Sequence, residues 1–112
     1  MKRALSLRRD DFQRVWDEGK SLSHALIILR AAANGTESNR FGFVAGKKIG
    51  KAVRRNRTKR LLREAVRHRL GAIRPGWDII LISRAGADQA EFKEIDAAVE
   101  SILQRAHLIH PS

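Results

Sequence analysis

Hydrophobic residues recur with a helical period near both ends of the chain. Phe12, Val15 and Trp16 are spaced as one face of a helix. Ser6 is a possible N-cap of this helix, and Gly19 is a suitable stop signal. A last helix is predicted from a stripe of five apolar residues with the same period: Phe92, Ile95, Val99, Ile102 and Leu103.

Apolar runs of a different kind predict strands between these two helices. SHALIILRAAA (residues 23–33) and RFGFVAG (residues 40–46) are rich in β-branched and aromatic side chains, and both phenylalanines of the second run fall on one face. The polar loop NGTESN between the two runs favours a hairpin. WDIILIS (residues 77–83) is a continuous apolar run after RPG, which is typical of a central strand.

The middle of the chain predicts an amphipathic helix with a cationic outer face. At about 100° per residue, four apolar residues gather on one side: Leu61, Leu62, Ala65 and Val66. Nearly opposite them lies a polar row: Asn56, Arg60, Arg63 and Arg67. Glu64 is expected to pair with Arg60 and Arg67 and hold their guanidiniums in place, not to act as a catalytic acid. The predicted order is helix, strands, helix, strand, helix.

Composition narrows the class of protein. The 112 residues fit one domain, and the 43% apolar content is enough for a modest core. The chain has no cysteine, which excludes disulfides and thiolate metal sites. Because there is no long apolar run and no hydrophobic signal region, neither a membrane span nor export is expected. These features predict a cytoplasmic protein.

The net charge of +11 is concentrated in one segment. Residues 47–74 contain 12 lysines and arginines with Glu64 as their only acid, whereas the rest of the chain has 11 basic and 11 acidic residues. A local excess of this kind is typical of a surface that binds a polyanion. The alternative is a helix face that is merely solvated, but such faces usually mix their charges.

The residue types within this segment favour RNA as the polyanion. Arginine dominates the row, and its planar guanidinium can hold two phosphate oxygens or stack on a base. Lys47 and Lys48 follow the second strand and are flanked by glycines, which either let a ligand approach closely or simply form a turn. Reading DNA bases needs Asn or Gln along the helix, and Asn56 is the only candidate. Non-specific or structured RNA is the favoured ligand.

No catalytic centre is evident among the acids and histidines. The histidines are scattered without the spacing of a metal site or a catalytic triad: His24, His68, His107 and His110. Asp10 and Asp11 are adjacent on a helix and point in different directions, which favours a role at the helix N-terminus. Two other function classes stay open. One is a structural RNA-binding protein of ribosomal type, and the other is a self-sufficient nuclease, which would need clustered metal ligands.

A family resemblance lies in residues 41–67, FGFVAGKKIGKAVRRNRTKRLLREAVR, which resemble the signature of the bacterial ribonuclease P protein subunit. DDFQRVWDEGKS resembles the first helix of that family, and WDIILISRAGA resembles its last strand. The resemblance implies a single ribonuclease P protein domain over residues 1–112. It also implies an α+β fold, an α/β sandwich (ribosomal protein S5 domain 2-like) in the order α-β-β-β-α-β-α. That fold has a left-handed βαβ crossover around the arginine-rich helix, against the usual right-handed rule.

The function of that family provides further expectations. Its protein assists a catalytic RNA that removes the 5′ leader of precursor tRNA, so the resemblance implies these two RNAs as partners. The ribonuclease P holoenzyme is an endoribonuclease, and its phosphodiester hydrolysis uses magnesium held by the RNA subunit. The protein alone is expected to be non-catalytic, to hold no metal, and to need neither a membrane nor an obligate protein partner.

The resemblance also implies two groups of site residues. The first would bind the catalytic RNA: Lys47, Lys48, Lys51, Arg55, Asn56, Arg57, Lys59, Arg60, Arg63 and Arg67. The second would line a cleft for the leader: Phe12, Trp16 and Arg30. Core packing is an equally good role for Phe12, because its stripe faces the sheet. The family often has an aromatic residue on the strand across this cleft, whereas this chain has no tyrosine and has Leu29 and Arg30 there.

Overall fold

The computed structural model describes residues 5–110, which contain five strands and three α-helices. In chain order these elements are β1 (Leu5–Ser6), α1 (Arg9–Glu18), β2 (Lys20–Ser23), β3 (Ile27–Ala33), β4 (Arg40–Ala45), α2 (Ala52–Arg67), β5 (Trp77–Ser83) and α3 (Phe92–Arg105). Short 3-10 turns lie at Lys47–Ile49, Leu70–Ala72 and Ala87–Gln89. The predicted order of elements is confirmed, with the short β1 as an addition.

The strands form one mixed sheet in the order β1-β4-β5-β3-β2. β5 lies at its centre, antiparallel to β3 and parallel to β4. The predicted central position of WDIILIS is confirmed, but the predicted hairpin of the two preceding strands is wrong, because β5 separates them. Ile79, Ile80 and Leu81 are all fully buried, so this strand needs protein on both faces. β4, α2 and β5 form the βαβ crossover that the resemblance implies, and the handedness of that crossover stays a prediction.

The helices lie on opposite faces of this sheet. Leu29, Phe41 and Leu81 face α2 and α3 and join them in one hydrophobic core. Their neighbours along each strand point the other way, where Gly42 lies under the Phe12 ring of α1. Among the described helices, α1 is thus alone on its face, and Val15 is its one buried residue. The stripe that includes Val15 therefore packs on the sheet as predicted.

The two ends of α1 differ in how well the sequence predicts them. Gly19 ends the helix as expected, and a Cβ at this position would lie 2.5 Å from the Val15 carbonyl oxygen, so a larger residue does not fit without a shift. Ser6 does not cap the helix, because it pairs with Phe41 as part of β1. Arg8 occupies the N-cap position without a side-chain hydrogen bond. A strand of two residues leaves no periodic signal, which is why β1 escapes prediction.

Asp78 of β5 is fully buried and joins α1 to the sheet. It accepts hydrogen bonds from Arg14 of α1 at 2.5 Å, from two nitrogens of Arg40 at 2.8 Å, and from Asn34 at 2.9 Å. Arg40 also donates to Asp11 of α1 at 2.9 Å. Hydrogen bonding to Asp78 raises the pKa of Arg40 above its ordinary value. Because removing one member of a buried ionic network typically costs about 3–5 kcal/mol, this cluster is a strong constraint on where α1 lies.

A second ionic cluster joins α2 to α3. Arg69, just beyond α2, donates to the two carboxylate oxygens of Asp96 at 2.6 and 3.0 Å and to Glu100 at 3.4 Å. The hydrogen bond from Arg69 lowers the pKa of Asp96 below its ordinary value. The carboxylate of Asp96 is therefore more favourable in the folded protein than in the unfolded chain.

We expect the substitution Asp96→Asn to destabilise the fold in a pH-dependent way. Because the pKa of Asp96 is lowered on folding, its stabilising contribution is present above the ordinary aspartate value of about 3.9 and is lost as the pH falls through the folded value. At about pH 7 the variant should lose about 1 kcal/mol of unfolding free energy, as is typical of a well-formed ion pair at a surface. Urea unfolding at about pH 7 and about pH 3 would measure the difference at each pH.

The matched control for this prediction is Asp17→Asn, which removes an exposed carboxylate whose hydrogen bonds come from Gln13. It should change stability little at either pH. An Asp96→Asn deficit that is equally large at both pH values would contradict an ionic role for the Arg69 contact.

Candidate nucleic-acid interface

The outer face of α2 is cationic and exposed, as predicted. Asn56, Arg60 and Arg63 are exposed, whereas Leu62 and Val66 are fully buried against the core. The helix therefore has one face fixed by packing and the opposite face open to a ligand. Its 16 residues present the side chains of the outer row at regular intervals.

Several cations on and around this face have no carboxylate partner. Within residues 5–110, six of the predicted RNA-binding cations form neither an ion pair nor a side-chain hydrogen bond: Lys48, Lys51, Arg55, Lys59, Arg60 and Arg63. All six lie between the end of β4 and the middle of α2, so their charges reinforce one another locally. A surface of uncompensated cations attracts a polyanion and releases the counterions that surround it.

The other predicted RNA-binding residues have additional contacts or lie outside the described part of the molecule. Arg57 is partly buried and donates to the backbone carbonyl of Asp88 at 3.2 Å, so it ties α2 to the turn before α3. Arg67 pairs with Glu64. The side chain of Lys47 lies outside the described residues. Arg57 and Arg67 therefore have structural contacts in addition to any contact with RNA.

The predicted pairing of Glu64 is half right. Glu64 pairs with Arg67 and, at 3.1 Å, with His68, but not with Arg60. The hydrogen bond from Arg67 lowers the pKa of Glu64. Pairs in which the acid precedes the cation along a helix are the more favourable ones, because they agree with the helix dipole. That preference explains why Glu64 pairs towards the C-terminus and leaves Arg60 available.

Arg63 is exposed but held in place by an aromatic ring. Its guanidinium carbon lies 5.3 Å from the centre of the Phe43 ring, a distance typical of a cation–π contact. Phe43 itself stacks on Phe41, with ring centres 6.3 Å apart and an angle of 10° between the planes. The sequence pattern does not predict this contact, because it joins α2 to a strand and depends on the crossover. The contact with Phe43 orders the Arg63 side chain before any ligand binds.

A second surface lies between α1 and the sheet. Phe12 and Trp16 stack with ring centres 5.9 Å apart and an angle of 13° between the planes. Trp16 is 43% exposed, so much of its ring is open to a ligand. Phe12 is half-buried and rests on Gly42, where an added Cβ would come within 3.1 Å of two ring carbons. Phe12 therefore packs on the sheet and supports the exposed Trp16 ring, and its contact with a leader stays a prediction.

Arg30 lies across this cleft from the helix. Its guanidinium carbon is 5.8 Å from the centre of the Trp16 ring, and one terminal nitrogen donates to the Gly19 carbonyl at 3.2 Å. Its Nε is buried without a hydrogen-bond partner. Leu29 does not reach the cleft, because alternation along the strand directs it into the core on the other face, where it is 2% exposed. Arg30 is therefore the β3 residue that faces Trp16.

Three apolar residues of the sheet extend the floor of this cleft, and none of them is among the residues predicted for it. Ile28, Val44 and Ile82 lie in one row across β3, β4 and β5, on the same face as Arg30. All three are half-buried. In the sequence, each of them is an apolar residue that alternates with the core-facing residues of its strand. Without the strand order, the sequence does not show that the three residues lie side by side. The cleft thus offers aromatic rings, an apolar floor and one guanidinium.

The side chains of both surfaces are of types that can bind nucleic acid. Among residues 5–110, no group of three or more His, Asp or Glu side chains lies close enough together to hold a metal ion. Unpaired guanidiniums and ammoniums bind phosphates, and exposed rings stack on bases. None of the helices in the described part of the chain has the length and apolar character needed to cross a membrane.

Comparison with known proteins gives consistent matches over nearly the whole chain. The family model described as Ribonuclease P matches residues 1–107. The ribonuclease P protein component of Herpetosiphon aurantiacus is 45% identical over 111 residues, which are 98% of this chain and 90% of that protein. The corresponding protein of a Roseiflexus species is 42% identical over 114 residues, covering 100% of this chain and 93% of the relative.

Solved structures agree with these sequence matches. The structure of the Staphylococcus aureus RNase P protein superimposes with a TM-score of 0.86 at 29% identity, covering 97% of this chain and 100% of that one. The RNase P protein from Thermotoga maritima superimposes with a TM-score of 0.80 at 35% identity, covering 93% of this chain and 97% of that one. The α+β fold with its mixed sheet is therefore the fold of those proteins.

We expect the substitution Gly42→Ala to displace the Phe12 ring and destabilise the fold by about 1–3 kcal/mol, the usual cost of overpacking. Combining it with Phe12→Leu should recover part of that loss, because the smaller side chain leaves room for the new methyl group. Gly46→Ala is a suitable control, since nothing lies within 4 Å of a Cβ at that position. Urea unfolding of the single and double variants would measure the coupling. Strictly additive losses for the two substitutions would contradict the packing of Phe12 on Gly42.

Proposed function

This chain belongs to the ribonuclease P protein family, and on that premise we propose that it is the protein subunit of a ribonuclease P holoenzyme. In this proposal it binds the catalytic RNA and the 5′ leader of precursor tRNA and assists the removal of that leader. A general role in tRNA 5′ processing follows from the family, and the two binding roles are assigned from the geometry of the two surfaces. A ribosomal-type structural role would account for the basic helix but not for the family match.

The observation that carries this proposal is the set of cations on the outer face of α2 that have no acidic partner. The unpaired cations include three arginines, Arg55, Arg60 and Arg63, and a guanidinium can contact two phosphate oxygens in one plane. The helix is rigidly packed through Leu62 and Val66, so its outer row is presented to RNA with little ordering cost. A folded RNA with closely spaced phosphates is the ligand that such a row fits best.

The cleft between α1 and the sheet supports the second binding role. A single-stranded leader can stack a base on the exposed Trp16 ring while a phosphate approaches the guanidinium of Arg30, which lies beside that ring. The wide rings and apolar floor suit unpaired bases more than a duplex, which hides its base faces. We therefore assign the leader to the α1 cleft and the catalytic RNA to the α2 face.

Chemistry is assigned to the RNA in this proposal. Magnesium-dependent hydrolysis of the phosphodiester bond takes place on the catalytic RNA, and the protein contributes binding and orientation. The holoenzyme is an endoribonuclease of the cytoplasm, where precursor tRNA is processed, and no further protein partner is required.

Reconstitution tests this division of labour. We expect efficient removal of the 5′ leader when the protein is combined with its cognate catalytic RNA and magnesium, and none with the protein alone, because the proposal assigns the catalytic groups to the RNA. Gel analysis of end-labelled precursor tRNA would follow the reaction. Leader removal at a comparable rate by RNA-free protein would overturn the proposal.

Trp16→Ala should weaken the binding of precursor tRNA to the holoenzyme without weakening that of mature tRNA. Loss of one base stack is typically worth about 1–3 kcal/mol, or about 5- to 150-fold in affinity. Trp16→Phe keeps a ring and should retain most of the affinity. Equilibrium binding of the two tRNAs to each holoenzyme measures both effects, and equal losses for both tRNAs would point to a role in packing.

Replacing Arg60 and Arg63 together by alanine should weaken binding to the catalytic RNA and reduce its salt dependence. Each lost phosphate contact changes the slope of log affinity against log salt by about 0.7–0.9, so the double variant should be shallower by about one to two units. The fold should persist, because both residues are exposed and alanine favours helix. Circular dichroism would check the fold.

The matched control for this double variant removes two positive charges elsewhere, through Arg84→Ala with Lys93→Ala. Both residues are exposed and lie outside α2. The control should keep the wild-type slope. If both double variants change the salt slope equally, the effect is one of net charge and the α2 row is not the binding surface.

A further inference from the structure

A cavity of about 490 Å³ lies at the open β2 edge of the sheet, on the face opposite α1. Its walls come from β2, β3, the start of β5 and the end of α3. Lys20 and Leu22 point into it from β2, because they pair with the core-facing Ala31 and Leu29 of β3. Trp77 and Arg105 close it from β5 and α3. Neither predicted group of site residues includes this cavity.

The lining of this cavity is apolar with a cationic rim. Lys20 and Arg105 are exposed, and His107 beside them is exposed as well. No carboxylate is among the described residues that line it. Trp77 is half-buried, so part of its ring packs on the core and part is accessible. An aromatic ring beside uncompensated cations is the arrangement that binds a single-stranded nucleic acid, with a base on the ring and phosphates on the rim.

This cavity is close to the end of the α1 cleft. The cleft ends where Arg30 donates to the carbonyl of Gly19, and the next residue, Lys20, begins β2 and points into the cavity. β2 is an edge strand, so a path from one face to the other passes around a single strand. Ser21 and Ser23 are exposed on the α1 side of that strand and offer hydroxyl groups along the path.

The acids nearest this path do not obstruct it. Asp17 and Glu18 follow Trp16 along α1, which places them about 100° and 200° away from it around the helix. Glu18 thus projects on the side of Arg14, away from the cleft. A single-stranded nucleic acid that leaves the cleft past Trp16 and Arg30 therefore reaches Lys20 before it reaches a carboxylate.

We propose that the cavity between β2 and the end of α3 binds the part of the 5′ leader that extends beyond the nucleotides held in the α1 cleft. The leader passes around the β2 edge, its phosphates contact Lys20 and Arg105, and one base stacks on Trp77. This assignment rests on the proposed function, since it requires a leader in the α1 cleft. It adds a second leader site, which only precursors with long leaders can reach.

The test compares precursors of different leader length. Holoenzymes would be titrated with mature tRNA and with precursors whose leaders have about 4 and about 16 nucleotides, the range of single-strand site sizes for a small domain. The test variant is Lys20→Ala with Arg105→Ala. The control is Arg84→Ala with Lys93→Ala, which removes the same charge. Arg84 and Arg105 form a close match, because each is exposed and donates to one carbonyl near the β2–β3 turn, of His24 and Ser23 respectively.

We expect the wild type and the control to bind the long-leader precursor more tightly than the short-leader one. The Lys20→Ala, Arg105→Ala variant should lose about three- to tenfold in affinity for the long leader only, with a salt slope shallower by about 1.4 units, since each of the two contacts with a single strand contributes about 0.7. Equal losses for short and long leaders, equal losses in the control, or no loss at all would each overturn the proposal. A failure of the leader role itself is distinguishable, because Trp16→Ala would then weaken the binding of short-leader precursor and of mature tRNA equally, or would weaken neither.

Tryptophan fluorescence gives an independent measurement. The chain has two tryptophans, so in a Trp16→Phe holoenzyme the emission comes from Trp77. Stacking of a base should quench that emission when the long-leader precursor binds and leave it unchanged with the short-leader precursor. Quenching by both precursors, or by neither, would overturn the contact with Trp77 and with it the proposed path.

Discussion

A single buried carboxylate determines how α1 lies on the sheet. Asp78 is in the middle of the fold with no exposed surface, and its charge is compensated by guanidiniums from two other elements. Arg14 brings α1 to that carboxylate, and Arg40 connects it to β4 and, through Asp11, back to α1. Because an unpaired buried charge is so costly, these contacts form together. α1 buries only Val15 fully, so this ionic network is a main determinant of its position and hence of the Phe12–Trp16 pair.

The arginines of this chain divide into two groups by their partners. Arg14, Arg40 and Arg69 are paired with acids and connect elements of the fold. Arg60 and Arg63 have no acidic partner within residues 5–110 and lie on the outer face of α2. Only part of the positive charge is therefore available to bind a polyanion. The arginines in the ionic networks are paired with acids, whereas Arg60 and Arg63, in the described part of the chain, are not. The two surfaces lie on different layers, with the α1 cleft on one side of the sheet and α2 on the other.

Local periodicity predicts the elements well, and long-range pairing is where it fails. The amphipathic character of α2, the stripe of α3 and the central position of β5 all follow from the spacing of apolar residues. The hairpin of β3 and β4 is predicted wrongly because β5, which needs protein on both faces, lies between them. The residues of the turn between β3 and β4 do not indicate that a third strand separates the two. The role of Asp78 has one sequence signal, an acid within the apolar run WDIILIS, but its partners lie far away along the chain. Similarly, Phe43 and Arg63 meet only because of the crossover.

The central claim is that α2 binds the catalytic RNA and the α1 cleft binds the leader. Hydrogen exchange of the backbone amides would test this claim most directly. The protein would be compared alone, with the catalytic RNA, and with the catalytic RNA plus either mature or precursor tRNA. The account predicts slower exchange in residues 48–63 as soon as the catalytic RNA binds, and slower exchange in α1 and β3 only when precursor tRNA is added. Equal protection of α1 by mature and precursor tRNA, or unchanged exchange in α2 with the catalytic RNA, would contradict it.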